Sequence, residues 1–249
     1  MGQRIKGKNA MKTEENIGSG TQQSALELLR EHSLSNLVER EIERQIISGE
    51  LASGEKLTEA GIANQLRVSR GPVREALRSL EQAGLVVNEK NRGMSVRQIS
   101  VDEAGHIYEV RAALDGLIGR LAAERITKQQ LKKLKEIIKE MKLAAAKNDV
   151  VAYFPLNIAF HEILALAAHN PALVMNYRRV TNELTLFRRA TLEKNISNIQ
   201  ISTKNHEQIV KAIEARDALV AEKLLFDHVM DSKKRLYEVL KENNEKRQK

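Results

Sequence analysis

The chain has 249 residues, of which 42% are hydrophobic, 30% charged and only 3% aromatic, with a net charge of +8 and neither Cys nor Trp. The length fits one large domain or two smaller ones, and the lack of cysteine excludes disulfide and thiolate chemistry and fits a reducing cytoplasm. No apolar run approaches the roughly 20 residues that span a bilayer, the polar start "MGQRIKGKNAMK" has no signal-peptide core, and the positive charge favours a polyanionic partner.

Residues 1–24 are polar and aperiodic, with Gly-Ser-Gly at 18–20, and read as a tail. From Leu34 the recurrence of Val38, Ile42 and Ile46 predicts a helix that Gly49 stops. Residues 50–57 read as a turn, and 58–66 as a short helix with Thr58 as N-cap. The next helix opens within "VSRGPVREALRSLEQAGLV" (68–86), with Ser69 as N-cap and Gly71 and Pro72 in its first turn. Proline is tolerated there because first-turn N–H groups lack intrahelical partners. Val73, Leu77 and Leu80 form its core stripe, and Arg70, Gly71, Arg74 and Arg78 fall on the adjoining face. Glycine lets backbone approach a groove wall, free amides at a helix start attract phosphate, and arginine at this end can grip guanine bidentately. Two β-branched runs in "LVVNEKNRGMSVRQI" (85–99) flank a basic turn, a hairpin signal. Three arginines alone are as well explained by a solvated basic face. Together with the preceding short helix, the turn and the hairpin, they make residues 25–99 a winged helix-turn-helix that binds DNA.

Beyond Ser100 every segment reads as helix. "SVDE" (100–103) makes a capping box ahead of a stripe of Ile107, Val110, Leu114, Leu117 and Leu121. "TKQQ" (127–130) opens a helix with Leu131, Leu134, Ile138 and Met141 inside; Asp149 opens another that runs through Pro155. Asn170-Pro171 and Arg216-Asp217 punctuate the remainder, and 193–200 is a loop. The expectation is a mainly α protein whose residues 100–243 form six antiparallel helices.

Three histidines lie in the later helices: His161, with Asn157 one turn before it in "LNIAFHEIL", His206 and His228. Antiparallel packing can gather their imidazoles as a metal site in a bundle core. A single histidine beside Phe on an apolar stripe is more often a hydrogen-bonded core residue, and from the residues alone both readings stand. Arg111, Arg188 and Asn205 are candidate groups for an anionic effector, with surface salt bridges or helix-end charges as the equal alternative.

The stretch "GEKLTEAGIANQLRVSRGPVREALRSLEQAGLV" (54–86), followed by "NEKNRGMSVRQIS", resembles the N-terminal domain of GntR-family bacterial transcriptional regulators. The resemblance implies that the third helix enters the major groove and the wing tip the minor groove. Ser69, Arg70, Gly71 and Arg74, and Lys90, Asn91, Arg92 and Gly93 at the wing, match the family's DNA contacts. Arg78, a turn further along, suits a phosphate contact or plain solvation. Some members carry a DNA-binding Arg just after the Glu matching Glu59; here the residue is Ala60.

Residues 101–240 resemble the FCD effector domain of the FadR subfamily, through x-x-Phe-His-x-x-Leu, Asn-Pro, His-x-x-Ile-x-x-Ala-Ile-x-x-x-Asp and a closing His. In many members an Asp and three His bind a divalent metal such as zinc or nickel, and an effector carboxylate can complete the shell. The matching positions are Asn157, His161, His206 and His228; an amide at 157 removes a charged ligand and lowers affinity, though three His can suffice. "YFPLNIAFHE" and "NELTLFRR" also resemble a subgroup associated with phosphonate utilisation, which implies a carboxylate or phosphonate-like effector. The expected protein is a ligand-responsive repressor and not an enzyme. It acts as a homodimer, with two recognition helices about 34 Å apart on a pseudo-palindromic operator. A metal-dependent hydrolase or oxygenase using the three His is the alternative, but the general base nearest them in sequence is Glu162, which immediately follows His161 and is expected to point elsewhere, and the DNA-reading head would have no purpose in it. A non-specific architectural DNA binder would not need the bundle.

Overall fold

The computed structural model describes residues 33–90, 92–191 and 199–247; the tail 1–24, Asn91, the side chain of Arg188 and most of the expected loop 193–200 lie outside the described residues. Val38, Ile42 and Ile46 are all buried along α1 (Leu34–Ser48), which stops at Gly49 with φ +77°. Within the expected turn, residues Lys56–Leu57 form a strand, β1. Two residues are too few to show a period, so this strand becomes visible only through its partner. The helix α2 (Glu59–Leu66) is capped by Thr58, whose Oγ1 accepts from Gly61 N at 3.1 Å. In α3 (Arg70–Gln82) the stripe Val73, Leu77 and Leu80 is buried as its spacing predicts. The hairpin β2 (Val86–Glu89) and β3 (Gly93–Val96) closes with Glu89 opposite Gly93, at φ +80°, and β1 adds to β3 to give the antiparallel order β1-β3-β2. This is a winged helix-turn-helix.

Six helices follow among the described residues: α4 (Val101–Arg125), α5 (Lys128–Ala146), α6 (Val150–Ala167), α7 (Pro171–Thr191), α8 (Ile199–Glu214) and α9 (Ala218–Arg247). Their starts obey capping chemistry. Thr127 and Gln130 form a complete capping box on α5. Asp149 Oδ1 accepts from Ala152 N at 2.9 Å, and Asn170 Oδ1 accepts from Leu173 N at 3.1 Å ahead of Pro171. At α4 only half the expected box forms: Ser100 Oγ accepts from Glu103 N, but the Glu103 carboxylate is drawn to Arg97 Nη2 at 2.6 Å instead. The helix α6 passes unbroken through Pro155, and with a mean hydropathy of 1.6 over 18 residues it is long and apolar enough to cross a membrane. The sequence reading found no such run. Here Tyr153, Phe160 and Leu164 of this helix are buried in the bundle core.

The stripe expected on α4 is only half right. Ile107 and Leu121 are buried, whereas Val110 and Leu117 face outward. The buried face is built instead from Ala104, Tyr108, Ala112, Ile118, Gly119 and Ala122, and it includes Arg111 and Asp115. Small residues let α9 approach closely: a Cβ on Gly119 would stand 2.5 Å from the Ala221 carbonyl oxygen and 2.9 Å from Leu225 Cδ1. Overpacking in Gly119→Ala is expected to cost about 1–3 kcal/mol, against the ~1 kcal/mol that alanine gains in a helix interior, a net destabilisation of up to about 2 kcal/mol. Urea unfolding checks it, with the midpoint falling at an unchanged slope.

Two cores organise the chain. One, within the bundle, centres on Leu134, Met141, Phe160, Leu164, Ile213 and Leu225. The other joins the winged head to the bundle, packing Val38, Ile42, Leu77, Leu80 and Leu85 against Tyr108, Leu184, Phe187 and Leu236. At this junction Gly84, at φ +76°, lies beneath Glu183, because a Cβ there would meet the carboxylate at 2.9 Å. Glu183 in turn binds Arg97 Nη1 at 3.1 Å, and Asn182 Nδ2 donates to the Ala83 carbonyl at 3.2 Å. The helix α7 thus holds both ends of the turn-and-wing segment.

Candidate DNA-reading face and histidine centre

Ser69 occupies the N-cap of α3 in an extended conformation, but its hydroxyl makes no capping hydrogen bond. Arg70, Gly71, Arg74 and Arg78 are all exposed, and no atom lies within 4 Å of where a Gly71 Cβ would stand. Nothing inside the fold, then, requires glycine at 71. Arg74 is held by Glu59: its Nε and Nη2 donate to the two carboxylate oxygens at 2.8 and 3.0 Å. Those hydrogen bonds keep the Glu59 carboxyl below its usual range, helped by the charges of Arg70 and Arg78. A cleft of about 420 Å³ runs between α3 and the wing, lined by Glu59, Arg74, Arg78, Asn88 and Gly93. Lys90 and Arg92 project from the wing tip, with Arg92 3.3 Å from Glu89.

In the bundle, α6, α8 and α9 bring His161, His206 and His228 together, all buried, with one ligand atom from each lying within 4.8 Å of the others. His206 is the hub. Its Nε2 lies 3.3 Å from His161 Nε2 and 3.2 Å from His228 Nε2, its Nδ1 is 3.4 Å from the Tyr153 hydroxyl, and the Phe160 ring packs against it, tilted by 42° with centroids 4.4 Å apart. Zinc–nitrogen bonds of about 2.0–2.1 Å in a tetrahedron place ligand nitrogens ~3.3–3.4 Å apart, close to the two separations made by His206 Nε2. Burial, and then the neighbouring histidines and Arg111, push the His206 and His228 imidazoles well below their ordinary range, so both stay neutral as metal ligands must be. His228 Nδ1 is buried without a hydrogen-bond partner. Three converging, buried imidazoles form a set that could hold a divalent cation.

Residues 34–96 match the family of bacterial regulatory proteins, gntR family, and residues 106–231 match the FCD domain. The chain is 33% identical over 187 residues to the probable D-xylose utilization operon transcriptional repressor of Paenarthrobacter nicotinovorans, covering 74% of this chain and 80% of that protein. The chain belongs to the GntR family. It is also 28% identical over 181 residues to the gluconate operon transcriptional repressor of Bacillus licheniformis, 71% of this chain and 74% of that one. The solved structure of E. coli McbR/YncC has the same fold, with a TM-score of 0.67 at 23% identity over 83% of this chain and 98% of that chain. A putative GntR regulator from Rhodococcus sp. RHA1 gives 0.65 at 24% identity, over 82% and 98%. The protein is a GntR transcriptional regulator with a C-terminal FCD domain, not an enzyme.

In this GntR regulator the remaining candidate groups fall in different places. Asn157 is half-buried one turn before His161, and Asn205 is half-buried beside His206. Arg111 is no surface group: it is buried, and its Nε donates to Asp115 Oδ2 at 3.2 Å. Glu162 pairs with Arg178 rather than with the histidines, which removes it as a general base. His106 and His169 are exposed and stand outside the cluster. Three neighbours escaped the sequence reading: Asp115, Tyr153 and Tyr177, whose phenol burial and the Asp115 charge push up to about 12. For Asp115 the signal existed in the i, i+4 spacing from Arg111, but such pairs are common on surfaces.

The neutral histidines give the metal-free GntR regulator an acid-sensitive core. Their folded-state pKa values lie below the ordinary 6.5, so the unfolded chain binds protons first. Stability is complete above pH 6.5 and declines as pH falls from there toward the folded values. Each histidine contributes a slope of up to about 1.4 kcal/mol per pH unit. Thermal melts of metal-free protein from pH 7.5 to 5 should show the midpoint falling only below about 6.5.

Proposed function

We propose that this GntR regulator belongs to the FadR subfamily and acts in the cytoplasm as a homodimeric repressor responsive to a small anionic effector. The observation that carries the ligand response is the buried trio of His161, His206 and His228, set in a bundle that shares a core with the DNA-reading head. The working division is a head at 25–99 and an effector and dimerisation domain at 100–243.

On DNA, Ser69 and the free amides of the first turn of α3 receive a phosphate, and Gly71 keeps the backbone close to it. Arg70 and Arg74 face base edges, Arg78 a phosphate, and Lys90, Asn91, Arg92 and Gly93 the minor groove. Glu59 holds the Arg74 guanidinium in the free protein. In the bundle His161, His206 and His228 hold a divalent ion, zinc or nickel, with the Asn157 amide oxygen as a weak fourth ligand. When bound, the ion supplies a Lewis-acidic positive centre for a carboxylate or phosphonate. Arg111, Arg188 and Asn205 are the groups assigned to the effector. The effector acts by binding one placement of the two heads better than another, since a ligand shifts an equilibrium only through different affinities for its states. Repression follows the names of the D-xylose and gluconate operon relatives.

Salt-titrated binding to the DNA upstream of the protein's own gene tests the reading. Arg74→Ala is expected to weaken specific binding by about 1–3 kcal/mol while leaving non-specific binding, and its salt slope, nearly as they were. Wild-type affinity for the specific site in this variant would overturn the role given to Arg74.

A further inference from the structure

Asp115 lies on the buried face of α4, 1% exposed, one turn after Arg111. Its two oxygens face different partners. Oδ2 accepts from Arg111 Nε at 3.2 Å, and Oδ1 stands 3.6 Å from His161 Nδ1. An arginine paired with a carboxylate for stability alone favours the two-pronged geometry. Here the guanidinium grips one oxygen through Nε and leaves the other directed at the imidazole. Across the same ring, His161 Nε2 points to the hub nitrogen of His206, 3.3 Å away.

These positions have a chemical consequence. An ionised carboxylate only accepts hydrogen bonds, so an imidazole nitrogen facing it keeps its proton. With the proton at Nδ1, the lone pair is at Nε2, where the three rings converge. With a neutral amide at 157, Asp115 supplies the negative charge beside the cluster, behind a ligand rather than on the ion.

We propose that Asp115 is the positioning residue of the histidine centre, fixing the tautomer and ring plane of His161 and thereby setting the centre's affinity for a divalent cation. Arg111 acts one step further out, holding Oδ2 at 3.2 Å and so aiming the carboxylate. The inference rests on the reading of His161, His206 and His228 as a metal centre.

The test uses the full-length protein stripped of metal and titrated with zinc against a chromophoric chelator, with folding checked by circular dichroism. Asp115→Asn is expected to weaken zinc binding about 10–100-fold, the usual loss when a group behind a metal-bound histidine is removed. Asp115→Glu should recover part of that loss. Because Asp115→Asn leaves Arg111 buried without its partner, the double variant Arg111→Gln, Asp115→Asn removes both charges and is expected to show the same loss. A second readout separates positioning from packing. In zinc-loaded protein labelled with 15N-histidine, long-range 1H–15N spectra should show His161 protonated at Nδ1 in the wild type, and a changed or mixed signature in the double variant.

Wild-type zinc affinity in the double variant overturns the proposal, and so does a weakened affinity with an unaltered His161 signature. If His161→Ala leaves zinc binding intact, the histidine reading itself fails and the proposal falls with it. That outcome is distinct, since it concerns the ligand set and not the carboxylate behind it.

Discussion

His206→Ala is expected to abolish the binding of a divalent ion that the proposed histidine centre would hold, one per chain. His206 is 0% exposed and its Nε2 is the atom that lies within 3.2–3.3 Å of both other imidazoles. Without it the two remaining nitrogens have no third corner, and the space it leaves is bounded by Phe160 and the Tyr153 hydroxyl. Metal analysis of protein purified without chelator gives the first measurement. The second is thermodynamic: zinc at 100 times its dissociation constant stabilises the wild type by about 2.7 kcal/mol, through binding only the folded state. That increment should vanish in the variant. The variant should also lose part of the acid sensitivity below pH 6.5, because one of the buried bases that resist protonation is gone. Retained metal at wild-type stoichiometry would show that His206 is a packing residue.

Arg111→Met is expected to cost about 3–5 kcal/mol of stability, the usual penalty when one partner of a buried ion pair is removed. Methionine fills much of the volume, so the loss is electrostatic: Asp115, 1% exposed, is left buried without the guanidinium that it binds at 3.2 Å. Adding Asp115→Asn to the variant separates this cause from a packing defect: urea unfolding should show much of the loss recovered when the unpaired carboxylate is removed, whereas a packing defect would persist.

The parts of the molecule legible in the sequence are those specified by neighbours along the chain. The α3 start was readable because Ser69, Gly71 and Pro72 carry first-turn chemistry, and its core stripe because Val73, Leu77 and Leu80 follow the helical period. Helix boundaries at Gly49, Asn170-Pro171 and Arg216 were likewise local. What escaped depends on elements distant in sequence. Glu59 grips Arg74 across 15 residues, and β1 exists only because β3 passes beside it. The inward face of α4 was partly misassigned because hydrophobicity favours Val110 and Leu117, whereas close packing against α9 selects glycines and alanines. The three histidines could be picked out as ligand-capable residues, but their convergence requires three helices to cross at one height. Asp115 was hidden by appearing as an ordinary i, i+4 partner of Arg111.

The shared core described above makes the DNA reader something other than a detachable cassette. Val38, Ile42, Leu77 and Leu80 are roofed by Leu184 and Phe187, and Gly84 can sit under Glu183 only because it lacks a side chain. Exchanging readers between relatives by cutting between residues 99 and 100 would leave both halves with mismatched apolar faces. The second half of α7 is, in packing, part of the head it covers. New operator specificities should therefore arise by substitution at the exposed residues Ser69, Arg70, Gly71, Arg74, Lys90, Arg92 and Gly93, which change the surface without disturbing that roof.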